Sequence, residues 1–273
     1  MTNKCILCGK DGLSFGSRTD YNKYDSADPS GKTYGIRKVY NYLKCSQCGL
    51  WWTQNVDDDY NKLYETEKYW WEHHKRMGWN TLDETPRIEN DIKYSKMRRP
   101  FIKQFFNLSS ITHRINILEI GSSTGTMLKE FYEDDDFNLI IGVEPNDRVA
   151  NQAARFSRCS VIKNLNNGKP LDHGFDLVVA IDVLEHIANP LEECKKWLDN
   201  LSSCGILYLE LPDAGCDHAI NNGVNWDYVM HEHVYYYSKQ NVIDLFKKFG
   251  CENIHCDNWL TTDRQRLVFQ KGV

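Results

Sequence analysis

The chain has 273 residues, of which 41% are hydrophobic and 26% are charged, and its formal net charge is −5. This composition is typical of a globular protein and excludes a disordered one, and the length allows one full α/β domain together with a small module. The sequence contains no apolar run long enough for a membrane helix, and its first residues lack the apolar stretch of a secretion signal. We therefore expect a cytoplasmic protein that has no membrane partner.

The charge is distributed unevenly along the chain. Residues 1–50 carry 8 Lys/Arg against 4 Asp/Glu, whereas residues 111–273 carry 15 against 24. A surface that follows nucleic-acid phosphates needs positive charge, so the acidic main part argues against a nucleic-acid partner. The expected partner is a small-molecule substrate, and the sequence leaves the oligomeric state open.

Two CxxC pairs predict a zinc-binding module over residues 1–53. The pairs are Cys5/Cys8 and Cys45/Cys48, and a glycine follows each pair. Each pair can form one tight turn that aims two thiolates at an ion, and two such turns complete the tetrahedral shell of a structural zinc site. The polar stretch between the pairs cannot build its own core, so the metal would supply folding energy.

Residues 54–110 are predicted to be a helical connector that covers the active site. An acidic helix start at residues 57–59 leads into a tryptophan-rich stretch. Pro86 then opens a second helix that reaches about residue 106, because proline is favoured in the first turn of a helix.

Residues 111–273 alternate strands with helices, the pattern of a doubly wound, Rossmann-like α/β fold with a parallel sheet. The predicted strands are residues 115–120, 138–144, a short segment near 161, 175–181, 205–212, 252–257 and 265–269. The predicted helices are residues 124–132, 147–156, 190–201 and 238–249. Asp147 and Ser238 are the expected N-cap residues.

The first strand of this region runs into a glycine turn that predicts a cofactor site. The turn reads Glu119-Ile-Gly121-Ser-Ser-Thr-Gly125, and a helix follows it. The glycines permit a tight turn, and the helix N-terminus then faces an anionic or polar ligand. The next strand ends in Glu144, an acid that can accept hydrogen bonds from a ribose diol.

The same turn discriminates among cofactors. A dinucleotide fingerprint needs a middle glycine for the close approach of a pyrophosphate, and Ser123 occupies that place. The carboxylate of Glu119 would repel a pyrophosphate but suits the amino group of a methionine-derived ligand. The pattern therefore favours S-adenosylmethionine (SAM) over NAD.

Four sequence blocks give residues 86–270 a resemblance to the class I SAM-dependent methyltransferases. The blocks are LEIGSSTGTML, GVEPN, FDLVVAIDVLEHIANP and LYLELPD. The resemblance implies a seven-stranded methyltransferase sheet and a set of cofactor-binding residues. That set comprises Glu119, Gly121, Ser122, Ser123 and Gly125 at the methionine moiety, Glu144 and Pro145 at the ribose, Asn164 at the adenine, and Asp182, Val183 and Leu184 at the active-site mouth.

A narrower resemblance rests on HEHVYYYS (231–238), the CxxC pairs and the ELPD strand end. Together they are similar to the zinc-containing sugar C-methyltransferases of deoxysugar biosynthesis, which act on nucleotide-linked 4-keto sugars. The resemblance implies that His233 is the base and Glu232 its support, with Tyr69 as the nearest candidate for a substrate tyrosine. Those enzymes continue into a C-terminal domain that helps to hold the substrate, so methyl transfer carries over more directly than the sugar.

The chemistry of methyl transfer agrees with such a base. Transfer from a sulfonium is an in-line displacement, so the enzyme mainly positions a nucleophile that also loses a proton. A histidine titrates in the right range, and His231 is the alternative to His233. The HEH segment could also offer two ligands to a second metal, for which the sequence shows no third. His186 in VLEHI is interpreted as an interior or rim residue.

The leading hypothesis is a methyltransferase with structural zinc that acts on a small, carbohydrate-derived substrate by C- or O-methylation. Two alternatives stay open. One is a ribosomal RNA methyltransferase with a zinc module, which salt-sensitive RNA binding would favour. The other is a binding protein that keeps SAM affinity without transfer, which tight SAM binding without turnover would favour.

Overall fold

The computed structural model describes residues 3–20, 38–56, 64, 85–106, 113–165, 170–172 and 174–273. In chain order the strands are β1 (Gly12–Asp20), β2 (Lys38–Cys45), β3 (Trp51–Thr53), β4 (Ile115–Ile120), β5 (Phe137–Val143), β6 (Ser160–Ile162), β7 (Phe175–Ile181), β8 (Leu201–Pro212), β9 (Tyr235–Tyr236), β10 (Cys251–Asn258) and β11 (Arg264–Lys271). The α-helices are α1 (Thr85–Lys103), α2 (Thr126–Tyr132), α3 (Asp147–Ser157), α4 (Pro190–Asn200), α5 (Asp217–Asn222) and α6 (Lys239–Lys247), with 3-10 turns at Leu184–His186 and Gly223–Asn225.

A seven-stranded sheet in the order β10-β11-β8-β7-β4-β5-β6 confirms the predicted α/β fold class. The strands from β6 to β8 run parallel, but β11 is antiparallel to both of its neighbours, β8 and β10. The sheet is thus parallel as predicted over β6 to β8, and β11 departs from this direction at one edge. Only five residues join β10 to β11, and a parallel crossover needs a dozen or more.

The central strands are buried on both faces of this sheet. Along β7, Leu177 and Val179 belong to one apolar cluster, while Val178 and Ala180 belong to the other. Because successive side chains of a strand point to opposite faces, the continuous apolar run of β7 fills both layers of the core. This burial fixes the carboxyl ends of β4 and β7 next to each other at one edge of the sheet.

One predicted helix cap is correct and one is displaced. Ser238 caps α6 in a capping box with Asn241. Asn146, not Asp147, caps α3: its side chain accepts hydrogen bonds from the backbone N–H groups of Arg148 and Val149. Asp147 is the first helical residue, because the extended backbone ends one residue earlier, at Asn146.

Helix α1 is held against the large sheet by a buried ion pair. Arg98 donates from Nε and Nη2 to the two carboxylate oxygens of Glu210 in β8, at 2.8 and 2.6 Å. Thr124 in the loop after β4 also donates to Asp91 of α1, at 3.3 Å. The helix therefore lies over the edge of the sheet at which the predicted cofactor turn emerges. No helix in the described part of the chain has the length and apolar character needed to cross a membrane.

The second sheet has four antiparallel strands in the order β1-β2-β3-β9. Its first three strands come from the N-terminal module. The fourth is the two-residue β9, in which Tyr235 and Tyr236 pair with Trp52 and Trp51 of β3. The sheet of the N-terminal module thus ends on a strand that directly follows the HEH segment.

Gly125 and Gly250 form a matched pair for measuring how tightly the cofactor turn is packed. They have nearly the same left-handed φ, +78° and +77°. A Cβ added to Gly125 would lie 2.9 Å from the carbonyl oxygen of Ala153, whereas a Cβ added to Gly250 would have no atom within 4 Å. We expect Gly250→Ala to lower the free energy of unfolding by about 1–2 kcal/mol. Gly125→Ala should lower it by about 1–3 kcal/mol more, because α3 must also move. Urea unfolding measures both, and equal losses would contradict close packing of α3 on the turn.

Candidate active site

The turn after β4 is a left-handed loop that packs against the end of β7. Gly121 has a φ of +70°, and a Cβ on it would lie 2.6 Å from Cγ2 of Val183. The N–H groups of Gly121 and Ser122 both donate to the carbonyl of Val143, at 2.8 and 3.0 Å. The turn therefore lies between the ends of β5 and β7, against both.

Ser123 departs from the glycine of the family pattern and yet keeps a positive φ of 45°. Its backbone N–H donates to Oε2 of Glu144 at 3.1 Å, and Oε1 of Glu144 accepts from Asn146 N at the same distance. These bonds fix the buried Glu144 carboxylate beside the turn. They also stabilise an otherwise unfavourable backbone at Ser123.

Glu119 is a buried acid of the cofactor turn whose carboxyl group is not fully hydrogen-bonded. It is fully enclosed, and its Oε2 has no hydrogen-bond partner in the described part of the chain; the same is true of Ser122 Oγ. Burial raises the pKa of the Glu119 carboxyl to about 8, against a smaller opposing effect of Arg98. A cationic or hydrogen-bonding ligand is the partner that such a pair of buried polar atoms lacks. SAM carries both a sulfonium and an ammonium group, so the residues fit it.

The remaining predicted cofactor residues lie around the same sheet edge. Asp182 adopts a positive φ of 54° and accepts from Arg264 of β11 at 2.6 Å. Val183 packs on the turn, Leu184 is buried, and Pro145 is half-buried after Glu144. Asn164 is exposed after β6, at the far side of the sheet edge. Arg264 had no signal in the sequence, because it reaches Asp182 from a strand 82 residues away.

A second cluster surrounds the HEH segment. His233 and Glu232 are buried, at 5% and 3% exposure. The rings of His233 and His186 meet edge to face with their centroids 4.7 Å apart. His186 therefore belongs to this cluster, and its interpretation as an interior or rim residue was incomplete. His231 is half-buried, with Nε2 3.9 Å from Oε1 of Glu232. Tyr69 lies outside the described residues.

Tyr64 and the Glu232 carbonyl set the orientation of the His186 ring. Nδ1 of His186 lies 2.7 Å from the Tyr64 hydroxyl and 2.8 Å from the carbonyl oxygen of Glu232. A carbonyl oxygen only accepts, so Nδ1 carries a proton, and in the neutral ring the lone pair is on Nε2. No sequence signal distinguishes Tyr64 from the other tyrosines of the connector, because its partners lie more than 100 residues away.

The backbone of His233 is anchored to the N-terminal module. Oγ1 of Thr53 donates to the His233 carbonyl at 3.0 Å, and Thr53 N donates to the carbonyl of Val234 at 2.9 Å. The Tyr236 hydroxyl donates to the same His233 carbonyl at 3.1 Å. On its other side, Val234 N donates to the carbonyl of Glu185. The HEH segment is thus held between β3 and the turn that follows β7.

Glu185 is a buried acid that the sequence did not single out. It is 2% exposed, and neither carboxylate oxygen has a hydrogen-bond partner among the described residues. Burial and the nearby charge of Asp182 hold the pKa of its carboxyl well above the usual range. Glu185 precedes His186 and follows the Val183 that packs on the cofactor turn, so the two clusters are continuous.

The four cysteines of the N-terminal module converge on one point. Their Sγ atoms lie within 4.8 Å of one another, with Cys5–Cys48 at 3.5 Å and Cys8–Cys45 at 3.4 Å. Thiolates around a tetrahedral zinc with bonds of about 2.3 Å are about 3.8 Å apart. The donor set and its spacing therefore fit zinc, which would pull the thiolates into one closed shell.

A family model for the methyltransferase domain matches residues 93–256, which is more than half of the chain. The chain belongs to this family. It is a SAM-dependent methyltransferase, and the matched residues contain both the cofactor turn and the HEH segment. No curated protein matches the sequence.

Solved structures with little sequence identity share the fold. Magnesium protoporphyrin IX methyltransferase (ChlM) from Synechocystis PCC 6803 with bound SAH, the demethylated cofactor, has a TM-score of 0.57 at 10% identity, covering 79% of this chain and 100% of that one. A SAM-dependent methyltransferase from Thermotoga maritima has a TM-score of 0.50 at 17% identity, with 74% and 99% covered. The [4+2]-cyclase SpnF has 0.51 at 13%, with 67% and 81% covered. Because a cyclase is among them, the fold alone does not decide the reaction.

The raised pKa of Glu119 predicts that SAM binding releases a proton. The carboxyl is neutral at pH 7 in the free protein, while the cationic cofactor favours the carboxylate, so SAM affinity should rise with pH and level off above about pH 8. Calorimetry between pH 6 and 9 measures this rise, which we expect to reach several-fold. Glu119→Gln should flatten it. In the wild type, the folded state also binds the proton more tightly than the unfolded state, so stability falls as pH rises from about 5 to 8.

Glu130→Gln is the matched control for this measurement. Glu130 in α2 is also buried, and burial raises its pKa too, but it contacts Arg99 and not the cofactor turn. The control should leave the pH dependence of SAM affinity as it is in the wild type. A flat wild-type profile would show that Glu119 does not face the cofactor's charge.

Proposed function

We propose that the enzyme methylates a small, carbohydrate-derived substrate at carbon or oxygen, with His233 as the general base and a structural zinc ion on Cys5, Cys8, Cys45 and Cys48. The observation that carries the proposal is the continuity of the two clusters. Val183 packs on the cofactor turn at Gly121, and three residues later His186 meets the ring of His233. A base and a methyl donor must share one reaction centre, and this continuity supports a shared centre.

SAM supplies an activated methyl group, and the residues of the chain do the rest. Glu119, Gly121, Ser122, Ser123 and Gly125 would hold the methionine moiety, Glu144 and Pro145 the ribose, Asn164 the adenine, and Asp182 to Leu184 the mouth of the site. His233 would take the proton from the substrate. Its burial excludes water, and the bonds to its carbonyl hold its position while the proton moves.

The groups around His233 could also stabilise a developing oxyanion. Methylation of a carbon beside a ketone needs an enolate, whose negative charge needs donors nearby. The Tyr64 hydroxyl contacts the His186 ring, which in turn meets the ring of His233, and this hydroxyl can donate a hydrogen bond. His186 could add a donor at Nε2 only with its ring protonated, because its Nδ1–H already meets the Glu232 carbonyl. Glu232 and His231 form a weaker pair at the rim, with His231 as the alternative base. This set suits a keto sugar better than a phosphate backbone, which needs cationic contacts.

The first test is an assay with SAM and a panel of nucleotide-linked sugars in keto and hydroxyl forms. Product mass and SAH are measured together. We expect a gain of one methyl group on a keto sugar, together with exchange of its α-proton in heavy water. Methylation of hydroxyl sugars alone would assign O-methylation to the same base. Transfer only to RNA, or SAM binding without turnover on any substrate, would overturn the carbohydrate proposal.

His233→Asn tests the base. We expect kcat to fall by roughly 10²- to 10⁴-fold, the usual contribution of general base catalysis, with an unchanged Kd for SAM. His218→Asn is the control, because His218 also pairs with a carboxylate, Asp263, but lies outside both clusters. A small effect of His233→Asn together with a large effect of His231→Asn would move the base to His231.

Thr53→Val tests whether the N-terminal module positions the base. The variant keeps the shape of a buried side chain but loses the hydrogen bond from Oγ1 to the His233 carbonyl. We expect kcat to fall about three- to tenfold, the value of one such bond, with SAM affinity and zinc content unchanged. Thr53→Ser retains the hydroxyl and should retain most of the activity. Full activity in Thr53→Val together with a loss in Thr53→Ser would show that packing at residue 53 matters and the bond does not.

A further inference from the structure

A second group of metal-ligating side chains lies apart from the cysteines. Glu185, His186 and His233 each offer one ligand atom, and these three atoms lie within 4.8 Å of one another. Two imidazole nitrogens and one carboxylate oxygen are a common ligand set for zinc and other divalent first-row transition ions. The group contains His233 from the HEH segment but not His231, and its other two members come from the turn after β7.

The state of Glu185 is an independent sign of a cationic ligand. Its side chain is almost completely buried, yet both carboxylate oxygens lack a hydrogen-bond partner in the described part of the chain. A buried carboxylate without a partner is strongly destabilising, and a neutral carboxyl would still leave its O–H unsatisfied. A metal ion between Glu185 and the two rings would satisfy the carboxylate directly.

The surroundings of His186 match those of a metal ligand, and the backbone of His233 is held in place beside it. A metal-bound histidine generally donates its other ring N–H to a backbone carbonyl or a carboxylate, which fixes the ring. Nδ1 of His186 meets the Glu232 carbonyl at 2.8 Å, so Nε2 is the nitrogen with the lone pair. The backbone of His233 is fixed by Thr53 and Tyr236. The ligands are thus held on a rigid frame formed by both sheets.

We propose that Glu185, His186 and His233 form a second metal site, which binds a divalent transition ion of the zinc type. The ion would bind the lone pair with which His233 takes the substrate proton. It would therefore inhibit methyl transfer; this consequence, unlike the site itself, rests on the proposed function. The thiolates bind such ions more strongly, so the second site fills only after the first.

The experiment titrates full-length protein that already holds one equivalent of zinc with further zinc, and measures bound metal by elemental analysis and calorimetry. We expect a second equivalent in the wild type. Glu185→Gln and His186→Ala should each weaken its binding at least tenfold. His218→Ala, which removes a histidine paired with Asp263 elsewhere, should leave it unchanged. SAM binding by each variant verifies that it is folded.

Cobalt in place of zinc separates the two sites by spectrum. A four-thiolate site gives strong sulfur-to-metal absorption, whereas a site with nitrogen and oxygen ligands gives none. The second equivalent should therefore add only weak ligand-field bands. A wild type that binds no second equivalent would overturn the proposal. So would a second equivalent that Glu185→Gln and His186→Ala both retain at wild-type affinity.

Activity distinguishes the site from the proposed function. We expect zinc to inhibit the wild type at the concentrations that fill the second site. For Glu185→Gln, at least a tenfold higher zinc concentration should be needed to remove the same fraction of its activity. If methyl transfer is undiminished when the second site is filled, His233 is not the base, but the metal site is still supported. A second equivalent in a protein that methylates no sugar would likewise support the site alone.

Discussion

The pairing of β3 with β9 is the contact on which the candidate site depends. It joins the N-terminal module to the segment that carries His233, through two register pairs and the bonds of Thr53. The Trp51 and Tyr236 rings stack with centroids 4.3 Å apart and an angle of 19°, and both are buried. A two-stranded contact this short is stable only because aromatic packing and buried hydrogen bonds support it. His233, the proposed base, therefore lies two residues before a strand that anchors its segment to the N-terminal module.

Through the pairing of β3 with β9, the cysteine cluster is connected to the backbone of His233. Cys45 ends β2, the turn of Cys48 leads into β3, and the Cys48 carbonyl accepts from Asn241 of α6 at 2.8 Å. A metal that closes the turns would hold β3 against β9 and thereby the backbone of His233. The N-terminal module is too small to fold on its own apolar core, so a metal bound by the four cysteines would stabilise it together with the large sheet.

The large sheet was predictable from sequence, and the cluster of side chains around His233 was not. Strands such as β4 and β7 are continuous apolar runs that fill both faces of a sheet, and their bounds match the prediction to the residue. The cofactor turn was predictable for the same reason, since glycine spacing and strand ends are local signals. In contrast, the contact of Tyr64 with His186 spans 122 residues, and β9 has only two residues. The hydrophobic periodicity of the sequence cannot predict such contacts, because they depend on how the two sheets pack.

The buried acids of the two clusters differ in the partners that compensate their burial. Near the cofactor turn, backbone N–H groups donate to both carboxyl oxygens of Glu144, whereas burial raises the pKa of the Glu119 carboxyl to about 8. Beside His233, neither carboxyl oxygen of Glu185 has a hydrogen-bond partner among the described residues. Its burial therefore favours a neutral acid, and a bound cation such as the proposed metal ion would stabilise the carboxylate instead. Because one face of this site is the ring of His233, a ligand bound at Glu185 would also control access to the nitrogen with which His233 is proposed to take a proton.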